Sequence, residues 1–325
     1  MIDQQTPLHT PFTAASTASD VLAGIDLTGR HVIVTGGHSR LGREATRALA
    51  AAGASVTVAA RDTAKAAAAV DGITGAQVEE LDLTDPASID AFAHRWLDSG
   101  RPLDVLVNNA AVLFQPELRR DARGHELSFS TSHLGHFQLT RALLPALRAA
   151  NGARVVTVTS GAARFGEIRW DDLDFAAGYD PGAAYGQSKR ANVLFTVELD
   201  RRYAAEGIRA FATHPGVVIG PGPHAPSRVD SYRQQGLVDA EGTTIIDPAV
   251  GKKTIEQGAA TLVFAAVSPL LDGIGGVYLR DNDVAELDDT QYPLTPDSIP
   301  SMANSAMLDA EDARRLWELS EELLA

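Results

Sequence analysis

From His31 to Thr35 the chain reads HVIVT, a short apolar and β-branched run closed by Gly36-Gly37. That pattern predicts a buried strand. Leu41 to Ala52 is helical in composition and Gly53 stops it. Ser55–Ala60 (SVTVAA) predicts a second strand, Ala-rich Thr63–Val70 a helix, and Gln77–Leu81 a third strand. Asp85-Pro86 reads as a helix cap with proline in the first turn, and Ala87–Leu97 continues that helix. Leu103–Val107 (LDVLV) is the next strand. The alternation goes on with a long helix over Leu134–Ala150, a strand at Arg154–Val158, a long helix over Ala184–Ala205 and a strand at Ile208–Thr213. A helix at Ile255–Ala266, a short strand at Gly276–Leu279 and an acidic helix over Leu308–Leu324 complete it. Unbroken strand–helix alternation predicts an α/β chain: one doubly wound parallel sheet of about seven strands, with helices on both faces.

The pattern also divides the chain. Residues 1–27 read as an N-terminal extension, polar over residues 1–20, with one helical turn starting near Asp20. Residues 28–325 read as a single domain. Within it, residues 219–253 are rich in Pro, Gly, Ser and Asp and show little periodicity. A long insertion of that kind before a helix reads as a substrate lid, and with Tyr232 it is expected to close over a mainly apolar substrate.

Composition narrows the function. The 325 residues are 45% hydrophobic and 22% charged, which is globular. A net charge of −14 repels phosphate backbones and argues against nucleic acid as a partner. No cysteine is present, so thiolate catalysis, disulfide scaffolds and cysteine-ligated metals are excluded. No apolar run is long enough to span a membrane and no secretory signal opens the chain, so a cytoplasmic protein is expected.

The turn Thr35-Gly36-Gly37-His38-Ser39-Arg40-Leu41-Gly42 joins the first strand to the first helix. Glycines there let the backbone approach a pyrophosphate whose charge then sits at a helix N-terminus. Arg40 stands where a dinucleotide turn usually carries its middle glycine. Either the turn is remodelled, or the position has an ordinary backbone and Arg40 points at a phosphate. The second strand ends Ala60-Arg61, with no acidic residue to hold a ribose 2′-hydroxyl. Arg61, helped by Arg40, suits a 2′-phosphate, so NADP is expected over NAD.

Tyr185 and Lys189 lie four apart at the start of a predicted helix and share a face. Such pairs are common on surface helices. As chemistry, a cation one turn from a phenol would lower its pKa from near 10 and fit it for proton transfer.

Together these residues resemble the short-chain dehydrogenase/reductase superfamily, from about residue 20 to the C-terminus. The resemblance is carried, in order, by the Thr35–Gly42 turn, Asp82-Leu83, Asn108-Asn109-Ala110-Ala111, Ser160, Tyr185 with Lys189, and His214-Pro215-Gly216-Val217-Val218. His133-Leu134-Gly135-His136-Phe137, Ala191–Thr196 and Leu316–Ser320 look like its retinol-dehydrogenase-like and WW-domain-oxidoreductase-like branch. The resemblance implies a Rossmann-type fold and a nicotinamide cofactor. Gly36, Ser39, Arg40, Leu41 and Gly42 would hold its phosphates, Arg61 the 2′-phosphate, and Asp82 and Leu83 the adenine. Asn109 and Ala110 would line its channel, and Pro215, Gly216 and Val218 would pack on the nicotinamide. Tyr185 would be the acid/base, Lys189 would tune it and hold the ribose, and Ser160 would donate to the substrate oxygen. The implied substrate is a small carbonyl or alcohol compound, and dimers or tetramers are the implied assembly.

Some positions depart from the family pattern. Ser132 replaces the Asn that holds a proton-relay water, Gly220 replaces a Thr near the cofactor, and Arg40 replaces a glycine. They keep open a non-catalytic sensor or scaffold with the same fold. A sugar-nucleotide epimerase of the longer type would place the middle glycine at Ser39, but the Asn108–Ala111 motif favours the short type. His133 and His136 read as packing residues, His214 as a strand-edge histidine, and Trp170, Phe175 and Tyr179 as loop packing.

Overall fold

The computed structural model describes residues 4–293, 295 and 300–325. Residues 1–3 of the N-terminal extension lie outside them. The chain runs α1 (Ala18–Val21), β1 (His31–Thr35), α2 (Arg40–Ala51), β2 (Ser55–Ala60), α3 (Thr63–Val70), β3 (Ala76–Glu80), α4 (Pro86–Asp98) and β4 (Val105–Asn108). It continues with α5 (Leu127–Phe129), α6 (Gly135–Ala142), α7 (Leu144–Ala149), β5 (Ala153–Val158), α8 (Pro181–Tyr203), β6 (Ile208–His214) and α9 (Pro226–Gln234). Last come α10 (Ile255–Val267), β7 (Val277–Arg280), β8 (Asp283–Val284) and α11 (Ala310–Leu323).

The strands form one sheet in the order β3-β2-β1-β4-β5-β6-β7-β8. β1 pairs in parallel with both β2 and β4, so the strand order reverses between β1 and β4. A crevice opens at the strand ends of such a switch point, which is where open α/β sheets bind ligands. The eighth strand is the antiparallel two-residue β8. So short a strand leaves no alternating pattern, and the sequence reading counts about seven.

Two apolar layers enclose the sheet. On one face α1, α2 and α10 bury Val21, Leu49, Leu262 and Phe264 against Val32, Val34 and Val107. On the other, α4, α6, α7 and the end of α8 bury Phe92, Trp96, Phe137 and Phe195 against Ile33, Leu106 and Val155. Trp317 of α11 stacks on Phe195 at 5.9 Å and meets Phe137 edge-on at 4.7 Å, which locks the terminal helix onto α8. No helix among the described residues is long and apolar enough to cross a membrane.

The expected long helix over Leu134–Ala150 starts earlier than expected and is broken once. Over Ser130–Leu134 the helix widens by one residue, and the Gly135 N–H reaches the Ser130 carbonyl. It breaks at Leu143, and Pro145 enters the first turn of α7, where its missing N–H costs nothing. Residues 219–253, expected to be aperiodic, contain α9 and a single helical turn at Pro248–Val250. Within this segment Val238 bridges to Thr244 and Asp247 to Lys252, and Lys252 also bridges to Val217 before it.

The described part of the N-terminal extension is tied to the far sheet edge. Gln5 Nε2 donates to the carbonyls of Tyr278 (2.8 Å) and Ala285 (2.7 Å), and its Oε1 accepts from Tyr278 N (2.9 Å). The side chain is buried and serves as a stand-in strand residue beside β7. Asp283 accepts from the Leu8 and Thr10 amides. Gln5→Ala strands these backbone groups and is expected to lower stability by about 2 kcal/mol, read as a lower urea midpoint with unchanged slope.

Candidate active site

Thr35 closes β1 and organises the switch point. Its buried Oγ1 accepts from the amides of Asn109 (2.9 Å) and Ala110 (3.0 Å), and lies 2.9 Å from His136 Nε2. His136 Nδ1 faces the Ser132 carbonyl at 3.0 Å. Only an Nδ1–H can serve that carbonyl, so Nε2 accepts the Thr35 hydroxyl proton. Asn109 Nδ2 returns to the Thr35 carbonyl at 2.8 Å. A Cβ on Gly42 would sit 2.5 Å from Gly36 O and 2.6 Å from Asn109 Nδ2. The turn therefore presses directly on the start of α2.

Arg40 keeps a left-handed backbone, φ +45°. The expectation of an ordinary backbone at this position therefore fails. A non-glycine residue in that region carries about 1–2 kcal/mol of strain. Ser39, the N-cap of α2, gives no side-chain hydrogen bond to the helix, so the first amides of α2 face the crevice uncapped.

A cavity of about 2150 Å³ runs over this turn and across the strand ends. Gly36, Ser39, Arg40, Leu41, Arg61, Asp82, Leu83, Asn109, Ala110, Pro215, Gly216 and Val218 all border it. Gly42 is not on its wall but packs behind it. Arg40 and Arg61 are exposed at one end. Lys65 and His38, which sequence reasoning passed over, stand beside them. Burial pushes the His38 imidazole down and the Lys65 ammonium adds to that. The signal for Lys65 is its place four residues past Arg61, in the first turn of a helix that Asp62 caps. Asp82 accepts from the Thr84 amide and hydroxyl, which shapes the turn after β3.

The same cavity reaches Ser160, Tyr185 and Lys189. Ser160 follows β5 and caps a short helical turn, its Oγ accepting from Ala162 N at 3.2 Å. Tyr185 and Lys189 sit on α8, a helix buried on nearly all sides. Thr159 Oγ1 donates to the Lys189 carbonyl (2.7 Å), and Lys189 Nζ and Asn192 Nδ2 both reach the Val158 carbonyl, at 3.2 and 3.0 Å. These bonds pin α8 to the end of β5. A Cβ on Gly166 would collide with the Gly186 carbonyl, so the segment after Ser160 crosses α8 backbone to backbone, one residue beyond Tyr185.

Burial raises the Tyr185 phenol above its ordinary value, while the neighbouring Ser160 hydroxyl lowers it. Burial lowers Lys189 to about 8. The expected lowering of Tyr185 by Lys189 does not enter: the ammonium turns to Val158 O and lies 5.6 Å from the Tyr185 ring centre, and burial sets the direction for the phenol. Ser132 lies in the widened helical turn, and its buried Oγ has no partner among the described residues. Thr131 Oγ1 beside it is also buried and unpartnered, and borders the cavity.

At the other end the walls differ in character. Leu113, Phe114 and Phe165 border the cavity and are exposed to it. The insertion adds Ser227, Arg228, Ser231 and Tyr232 of α9, with Gln235 after it and Leu237 beyond, so polar groups line the cavity alongside Tyr232 and Leu237. Trp170, Phe175 and Tyr179 do not border the cavity. Phe175 is buried edge-on to Tyr179 at 5.7 Å, and Trp170 packs beneath Arg315. His133 is buried among Phe129, Phe137 and Phe195, with Nε2 on Ser320 Oγ at 2.8 Å. His214 accepts the Gly161 amide on Nδ1 and stacks on Tyr278.

A nicotinamide dinucleotide fits these residues. The uncapped amides of α2, the glycine cradle, the three exposed cations and the unpartnered Thr131 hydroxyl match its phosphates and hydroxyls.

Comparison with known proteins agrees with this geometry. The short chain dehydrogenase family pattern matches residues 30–222. A probable oxidoreductase of Streptomyces antibioticus is 43% identical over 309 residues, covering 92% of this chain and 99% of that protein. Human retinol dehydrogenase 12 is 35% identical over 306 residues, 92% of this chain and 88% of its own. The crystal structure of an uncharacterized protein from Mycobacterium paratuberculosis superposes with a TM-score of 0.70 at 34% identity, covering 95% of this chain and 97% of that one.

Two outcomes follow from the local energetics. Arg40→Gly removes left-handed strain but adds unfolded-state freedom, so stability is expected to rise by at most about 1 kcal/mol in denaturant titration. Burial holds His133 at about 3, His136 at about 4 and His214 at about 3. These folded values lie below the ordinary 6.5, so the unfolded chain binds protons first. The stability they confer is present above about pH 6.5 and is lost as pH falls toward 3–4. His133→Phe is expected to reduce proton uptake on unfolding between pH 6 and 5 by about one, read from the pH dependence of the urea midpoint.

Proposed function

The chain belongs to the short-chain dehydrogenase/reductase family, in its retinol-dehydrogenase-like branch, and from that premise we propose an NADP(H)-dependent oxidoreductase acting on a carbonyl or alcohol compound. One observation carries the reading. Ser160, Tyr185 and Lys189 border the same cavity as the uncapped N-terminus of α2 and its free cations. A reacting centre and a dinucleotide cradle thus share one crevice.

When bound, the nicotinamide supplies the hydride chemistry. Tyr185 gives a proton to the carbonyl oxygen on reduction, or takes it from the alcohol on oxidation. Ser160 donates a hydrogen bond to the same oxygen as charge develops there. Lys189 is dry and close to losing its proton, so a phenolate forming beside it draws its ammonium charge toward Tyr185. It also holds a ribose hydroxyl. Ser132 offers its unpartnered hydroxyl to a relay water, with one donor where an amide would have two. Asn109 acts by bracing the phosphate turn against β4. Residues 28–325 serve as one catalytic domain, with 219–253 as its lid.

Arg61, Arg40 and Lys65 are exposed at the adenine end of a chain of net charge −14, and Ala60 ends β2 where an NAD site would place a carboxylate. This favours the 2′-phosphate. Fluorescence titration is expected to show NADPH binding at least about tenfold tighter than NADH, with the preference reduced in Arg61→Ala. Tighter NADH would reverse the assignment. Tyr185→Phe is expected to lose turnover by about 10³-fold or more while binding NADPH within about threefold of wild type. Retained turnover would overturn the role of Tyr185.

A further inference from the structure

We propose that the substrate end of the cavity is built for a flat aryl carbonyl compound with one polar edge, and that Phe114 selects it. The proposal rests on the oxidoreductase reading above and names the substrate class of that site.

Phe114 is 60% exposed, and its ring centre lies 4.4 Å from that of Tyr185 at an interplanar angle of 33°. A phenylalanine so open to water inside a cavity is unsatisfied apolar surface facing a ligand. At that spacing and tilt the Phe114 ring lies over the Tyr185 ring and leaves its own outer surface open to the cavity. A carbonyl oxygen at the Tyr185 hydroxyl therefore carries its substituent alongside the Phe114 ring. A flat π-system gains offset stacking there, and a puckered saturated ring of the same size does not. Leu113 and Phe165, 51% and 41% exposed, extend the apolar surface on either side.

Polar groups line the cavity too. Ser227, Arg228, Ser231 and Gln235 border it from α9 and the residue that follows, beside Tyr232 and Leu237. A wholly apolar ligand would strip water from these groups and return no hydrogen bond. A ligand with hydroxyl or anionic groups along one edge satisfies these groups and the aromatic surface at once.

The segment bearing Phe114 is lightly held, so replacing this side chain leaves the fold intact. The Val112 carbonyl accepts from Ser128 Oγ at 3.2 Å and the Gln115 carbonyl from Tyr179 at 3.2 Å.

The test compares 2-naphthaldehyde with decahydro-2-naphthaldehyde, its saturated counterpart, under NADPH. In Phe114→Leu, which keeps apolar bulk and removes the π-face, the aryl-to-saturated ratio of kcat/KM is expected to fall about fivefold to tenfold. Calorimetric binding of 2-naphthamide to the complex of the protein with NADP⁺ is expected to weaken by a similar factor. A 6-hydroxyl on 2-naphthaldehyde is expected to raise kcat/KM in the wild type, and a fall would overturn the polar edge. If the wild type reduces both aldehydes and the ratio stays within about twofold in the variant, the aryl selection is overturned and the oxidoreductase reading stands. If the wild type reduces neither, the oxidoreductase reading fails and the proposal with it.

Discussion

A single buried hydroxyl joins the parts of this molecule that bind and react. Thr35 Oγ1 receives the amides of Asn109 and Ala110 and gives its proton to His136, so it ties β1 to the end of β4 and to α6. Without it, two backbone amides at a strand switch would face an apolar interior, at about 1–3 kcal/mol each. The bracket also aligns the Gly36 turn with the start of α2. Through His136 Nδ1 it reaches the Ser132 carbonyl in the widened helical turn. The glycine turn and that helix are thus held by one network. Neutral His136, kept near 4 by burial, fixes its direction.

The second organising feature is the burial of α8. This helix is wrapped by β5 and β6, by α11 and by the segment after Ser160. Its interior positions include Gln187, Ser188, Asn192 and Glu198, all buried and each making at least one hydrogen bond. The same dryness acts on Tyr185 and Lys189. It raises the Tyr185 phenol and lowers the Lys189 ammonium, so each is pushed toward its neutral form. A charge introduced beside either one then shifts the other strongly, because little solvent screens them.

The aromatic and polar walls of the cavity come from segments that no regular element carries across the sheet. Phe114 belongs to the connection after β4, Phe165 to the turn after Ser160, and Ser227, Arg228 and Ser231 to α9. Arg164 closes this end by donating to the carbonyls of Asp288, Met302 and Ala303, which holds the C-terminal segment near the mouth. Pro300 of that segment borders the cavity. These walls are therefore assembled from connections resting on the rigid sheet, α9 among them, as binding sites commonly are.

The sequence alone determined the alternation, and with it the parallel sheet. β1, β2 and α3 occupy the predicted residues, because short β-branched runs closed by glycine, and an Ala-rich run capped by Asp62, are decided locally. It also supplied the residues that gather in the cavity, since strand ends on one side of a doubly wound sheet must meet. Tertiary structure decided the rest. Leu134–Ala150 reads as one helix, yet it breaks at Leu143, where Pro145 enters the first turn of α7. Arg40 carries no local signal for the left-handed backbone that it adopts. Phe114 carries no local signal, because its meaning comes from Tyr185, which lies far along the chain and 4.4 Å away in space. Local patterns fix the elements; the desolvation and close contact that set the chemistry of Tyr185 and Lys189 exist only once the elements have packed.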